Sequence, residues 1–132
     1  MNTKKDSVLK KWIEHARYDL ETARAMLRTG RFLYVAFMCQ QTVEKILKAM
    51  VAQKGKEILP VHNLVRLAEM AEIYFSLSTE QQDFLADLSP FVIKARYGTY
   101  KKRLSEIIDK RKSTKILLQT EEIFKCLLKM MK

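Results

Sequence analysis

The sequence predicts an all-α fold, an antiparallel helical bundle of about five helices with the two longest first, and three observations carry that prediction. Only three glycines and two prolines punctuate the 132 residues. Between them, apolar residues recur every three or four positions rather than every second one. With 48% hydrophobic residues, the chain can build one core but is short for two. A single domain over residues 1–132 is expected.

The elements follow in order. Ile13, Ala16, Leu20, Ala23 and Leu27 step by three and four, a narrow seam that packs one long helix nearly antiparallel on another. Gly30 in "RTGRF" closes this helix as its C′ residue. From about Arg31 to Lys54, Leu33, Ala36, Phe37, Cys39, Val43, Ile46, Leu47, Met50 and Val51 cover more than half of the circumference. A helix so widely apolar touches neighbours on several sides and is the centre of the bundle. "KEILPVHN" reads as a loop, and Leu64, Leu67, Ala68, Ala71, Tyr74 and Phe75 form a third stripe. "STEQ" at 78–81 is a capping box that opens a fourth helix bearing Phe84, Leu85 and Leu88. Ser89 and Pro90 suit N-cap and N1, which predicts a break there and a short helix ending near Tyr97 and Gly98. The last helix is "STKILLQTEEIFKCLLKMMK", with Ile116, Ile123, Phe124, Leu127 and Met131 inward. Residues 98–112 are basic and weakly patterned, and are expected to be a mobile segment.

Composition narrows the function. Lys and Arg number 25 against 15 Asp and Glu, a formal charge of +10 that attracts polyanions. Cys39 and Cys126 lie in apolar helical patterns with no second Cys or His at ligand spacing. Neither a disulfide framework nor a metal site is suggested, no cofactor is implied, and a reducing cytoplasm fits. "MNTKKDSVLKKW" leads into no apolar signal region, and no stretch approaches the roughly 18 apolar residues of a membrane span.

Positive charge is concentrated. Between Lys94 and Lys115 there are nine cations and two anions, which supply seven of the ten excess charges. Cations at a helix C-terminus suit the macrodipole, by about 0.3–1 kcal/mol each at low salt. Those far beyond the last turn need another reason. Arg96, Tyr97, Tyr100, Lys101, Lys102 and Arg103 combine charge with aromatic faces, a pairing that can stack a base while holding its phosphate. A solvated helix end has the same composition.

A second constellation lies on the central helix. In "QQTVEKILKAM", Gln41, Glu44 and Lys48 share one face. Glu44 falls at the shoulder of the apolar stripe, where a carboxylate is partly desolvated and needs a partner such as Lys48. An ordinary i,i+4 surface pair has the same spacing. His62 in "PVHNL" either caps a loop or joins a polar site, and His15 faces away from the first seam.

Together, "W…ARYDLETA" with Trp12 and Asp19, then "QQTVEKILKAM", "PVHNLVRL" and "ARYG", resemble the HEPN domain family of prokaryotes over roughly residues 10–130. The resemblance implies an antiparallel helical bundle, usually a homodimer, that binds nucleotides or RNA. It also implies a minimal nucleotidyltransferase partner encoded beside it in a toxin–antitoxin or related stress module. Asp19, Gln41, Glu44, Lys48 and His62 would form a supporting polar cluster for a site around Arg96.

Many HEPN members are metal-independent RNases with an R-x(4–6)-H motif. Here Arg96 is followed at 101–103 by Lys101, Lys102 and Arg103, and no histidine occurs after His62. The usual general acid/base is missing from its place. Gly98 also stands where the family commonly has proline. Three readings follow: a nucleotide- or RNA-binding HEPN protein, favoured here; an RNase with a non-standard site built from Arg96, Tyr100 and His62; and a helical adaptor without a ligand.

Overall fold

Two long helices frame the molecule. In the computed structural model, which describes residues 3–94 and 108–131, α1 runs Thr3–Arg28 and α2 runs Phe32–Gln53. They are followed by α3 (Leu64–Met70), a 3₁₀ turn (Tyr74–Ser76), α4 (Thr79–Leu88), α5 (Phe91–Lys94) and α6 (Lys110–Met130). No strand occurs among the described residues, and the fold is the expected all-α bundle.

The seam of α1 is real: Ala16, Leu20 and Ala23 are buried, and the two alanines let α2 approach closely. Val35, Ala36, Cys39, Val43, Ile46, Leu47 and Val51 of α2 are wholly buried, as its broad apolar surface predicts. Against them lie Leu64 and Leu67 of α3, Leu85 of α4, and Ile123 and Leu127 of α6. Truncating a fully buried leucine such as Leu47 or Leu67 to alanine costs about 2–5 kcal/mol, from lost transfer energy and the cavity left behind. Polar links fix the helix directions. Lys5 Nζ donates to Gln53 O and Gln53 Nε2 donates to Met131 O, both at 2.7 Å, so the start of α1 meets the ends of α2 and α6.

Helix ends follow local chemistry. At Gly30 (φ 76°) α1 closes as a Schellman motif, with Arg31 N donating to Met26 O at 2.9 Å and Gly30 N to Leu27 O at 3.2 Å. The capping box of α4 forms: Ser78 Oγ accepts from Gln81 N at 3.1 Å, and Gln81 Oε1 accepts from Ser78 N at 2.9 Å.

Three boundaries differ from the sequence reading. The third apolar stripe breaks after Met70, because Glu72 adopts a left-handed conformation (φ 62°) and Ile73 N bonds back to Ala68 O at 3.0 Å. Phe75 consequently lies 90% exposed rather than in the core. Ser89 is the C-cap of α4 and not the N-cap of the next helix. Its Oγ accepts from Leu64 N at 2.9 Å, satisfying the free first donor of α3. Finally, α6 starts at Lys110 because Asp109 caps it, Oδ1 accepting from Lys112 N at 2.8 Å. Of the expected mobile segment 98–112, residues 98–107 lie outside the described residues. The remainder is buried Ile108, the cap and the first turn of α6.

Candidate functional site

Glu44 is the hub of a buried polar network. It projects from the middle of α2 and is only 5% exposed. Its Oε2 accepts from Lys48 Nζ at 2.9 Å; its Oε1 accepts from Gln40 Nε2 at 3.1 Å and His62 Nδ1 at 2.9 Å. Gln40 and Lys48 lie one turn before and after Glu44, so helical spacing alone brings them together. His62 arrives from the loop before α3, 18 residues away. Asn63 holds that loop in register by capping α3, with Oδ1 accepting from Arg66 N at 3.1 Å.

Each member is held from a second side. Gln40 Nε2 also donates to His62 O at 3.1 Å, and Gln41 Nε2 donates to Gln40 Oε1 at 2.7 Å. The Lys48 ammonium sits 5.8 Å from the Trp12 ring centroid, which gives a buried cation a second favourable contact. Among the described residues no buried side-chain nitrogen or oxygen lacks a partner. Burial alone would raise the Glu44 pKa, but hydrogen bonds from Lys48, Gln40 and His62, together with the Lys48 charge, outweigh it and hold the carboxyl below its ordinary value of 4.5.

A carboxylate accepts and never donates, so His62 Nδ1 carries the hydrogen. In the neutral ring the Nε2 lone pair is then available on a side chain that is 45% exposed. Nε2 makes no hydrogen bond among the described residues. The arrangement can accept a proton at a fixed position, or offer a cation to an anion once protonated. Among the described residues, no group of three or more His, Cys, Asp or Glu side chains could hold a metal ion.

The residues singled out from the sequence are not all together. Glu44, Lys48 and His62 meet directly, whereas Gln41 reaches the hub only through Gln40. Gln40 was the missed member; it too lies close before Glu44 on α2, and only the rotation of α2 against the loop decides between the two glutamines. Asp19 pairs instead with Lys45 Nζ across the α1–α2 interface. His15 is exposed, as expected. Arg96, Tyr97, Tyr100, Lys101, Lys102 and Arg103 lie outside the described residues.

The described part of the basic window is the start of α6. Lys110, Arg111, Lys112 and Lys115 are all exposed, the first turn holds no acid, and none of the four makes an ion pair among the described residues. Three of them sit at the positive end of the helix dipole, an arrangement that costs a few tenths of a kcal/mol each, up to about 1 kcal/mol. Among the described residues only the Asp109 cap offsets that cost, and a bound anion would offset more of it.

The sequence model of the HEPN domain family matches residues 9–131. No curated protein gives a significant match. Among solved structures, TT1696 from Thermus thermophilus superposes with a TM-score of 0.79 at 18% identity, covering 92% of this chain and 96% of that one. ST0689, an archaeal HEPN homologue, superposes with a TM-score of 0.73 at 20% identity, covering 94% and 98%. At these identities the two structures speak for the fold.

Proposed function

This chain belongs to the HEPN domain family, and from that premise we propose that it is a nucleotide- or RNA-binding protein that acts with a minimal nucleotidyltransferase partner in a toxin–antitoxin or stress module. The observation that carries the binding reading is the cation cluster at the start of α6, which has no ion-pair partner among the described residues and is set against its helix dipole in a chain of net charge +10. A polyanion is the ligand that such a cluster favours. Arg96, Tyr97, Tyr100, Lys101, Lys102 and Arg103, which precede it in sequence, would extend the same contact. A homodimer is the proposed assembly, since C2 pairing is the commonest route to burying the outer faces of long helices. Purifying the protein from its own cell, then sequencing bound nucleic acid and identifying bound protein, tests the proposal. Recovery of RNA or nucleotide with a small nucleotidyltransferase supports it; recovery of neither leaves the adaptor reading.

A second reading, a metal-independent RNase, is favoured by one observation, the 2.9 Å contact that fixes His62 Nδ1 on Glu44 and leaves Nε2 without a hydrogen bond among the described residues. Arg96 cannot supply acid/base chemistry, because an arginine does not give up its proton near neutral pH. Of the two histidines, His62 is the one that joins the Glu44 network, whereas His15 is exposed on α1. On the first reading, purified protein cleaves RNA poorly or not at all without metal. Robust cleavage that is lost in both His62→Ala and Arg96→Ala would establish the second reading in its place.

A further inference from the structure

We propose that the cleft between α4 and α6 binds a guanine nucleotide, with the base against α4 and the phosphate against α6. The inference rests on the nucleotide-binding reading above and adds a place and a base preference to it. The cleft has a volume of about 690 Å³ and lies apart from the Glu44 network. That volume is in the range of small-molecule sites, roughly 300–1,000 Å³.

Its two walls carry opposite charge. Glu80, Asp83 and Asp87 of α4 follow one another at three- and four-residue spacing, so three carboxylates line one wall. Lys112 and Lys115 of α6 stand on the other. The floor between them is apolar and partly aromatic, with Phe84 and Phe91 among its side chains. None of these five charged groups makes an ion pair among the described residues, so the walls face each other without neutralising each other across the cleft. A ligand that fits has an anionic end, an edge that donates hydrogen bonds, and a flat apolar face between.

A nucleotide has these three features, and the acidic wall selects among bases. A carboxylate offers two parallel acceptors. Guanine presents two adjacent donors, N1–H and the N2 amino group, on one edge. Adenine and cytosine place a ring acceptor beside their amino group, and uracil flanks its single N–H with two carbonyls. Carboxylates at Asp83 and Asp87 therefore favour guanine and disfavour the other three. The α4 wall would repel phosphate, so the phosphate lies toward Lys112 and Lys115.

Free nucleotide and a guanosine within an RNA strand share this chemistry, and calorimetric titration separates them. GDP and ADP form one arm; a short oligouridine strand with and without a single guanosine forms the other. The prediction is a preference for guanine of about tenfold or more in at least one arm, the discrimination one bidentate contact supplies. The exposed double variant Asp83→Asn/Asp87→Asn should abolish that preference. Lys112→Ala/Lys115→Ala should weaken every nucleotide alike and reduce the salt dependence. No guanine preference in either arm, or a preference that survives the double Asn variant, overturns the proposal. Base-indifferent binding of RNA by the wild type would overturn it while leaving the nucleic-acid-binding reading intact; absence of all binding would overturn both.

Discussion

His62 Nδ1 lies 2.9 Å from Glu44 Oε1, and this contact ties the loop that precedes α3 to the middle of the central helix. Glu44 is simultaneously paired with Lys48 at 2.9 Å, and both are more than nine-tenths buried. Two buried opposite charges are tolerable only as a pair, since removing one leaves the other desolvated and unmatched.

Lys48→Ala is therefore expected to destabilise the fold by about 3–5 kcal/mol. His62→Ala should cost less, about 1 kcal/mol, because its ring is nearly half solvated and solvent competes for the bond. Replacing the pair together, Glu44→Leu with Lys48→Met, should recover most of the loss from Lys48→Ala. Urea denaturation of the three variants checks the ranking. A loss in the double variant as large as that of Lys48→Ala would contradict a coupled pair.

The same network sets an acid limit. The folded Glu44 pKa lies below the unfolded one, so the folded state binds fewer protons there. Its contribution to stability is complete above the ordinary value of 4.5 and is lost as pH falls through the depressed value. Urea midpoints measured from neutral pH downward should fall over that window in wild type and fall less in Glu44→Gln. Parallel curves would show that Glu44 is not the group responsible.

The two thiols should differ in reactivity. Cys39 is wholly buried, and burial pushes its pKa up to about 12, so almost no thiolate forms at mildly alkaline pH. Cys126 is partly exposed. A thiol reagent should titrate one cysteine in the native protein and two after unfolding, and Cys126→Ser should remove the native reaction. Rapid modification of Cys39 under native conditions would mean that the α2–α6 interface opens readily.

Local patterns make most of the fold legible in the sequence. The step of Ile13, Ala16, Leu20, Ala23 and Leu27 announces the α1 seam, and Ser78 with Gln81 announces the start of α4, because both depend only on near neighbours. Glu72 is not legible: glycine is the residue that signals a left-handed helix end, and here a glutamate occupies it. Ser89 escapes a local reading because its hydroxyl serves Leu64, 25 residues away. The site divides in the same way. Glu44 and Lys48 are one turn apart and can be paired by counting, whereas Asp19 meets Lys45 only once α1 and α2 have docked. Gln41 joins the network through Gln40, and which of the two glutamines meets Glu44 directly depends on a rotation of α2 that tertiary packing decides.

The measurement that most directly tests the central claim, polyanion binding through the basic window, is the salt dependence of RNA affinity. Fluorescence anisotropy of a labelled single-stranded RNA would be followed between about 50 and 200 mM salt, where counterion release dominates. Four to six phosphate contacts from Arg96, Lys101, Lys102, Arg103 and the Lys110–Lys112 turn predict a log–log slope of roughly −3 to −4 on a single strand. The triple variant Lys101→Ala/Lys102→Ala/Arg103→Ala should flatten that slope by about two. A slope unchanged by the triple variant, or no measurable binding at the lowest salt, would contradict the account.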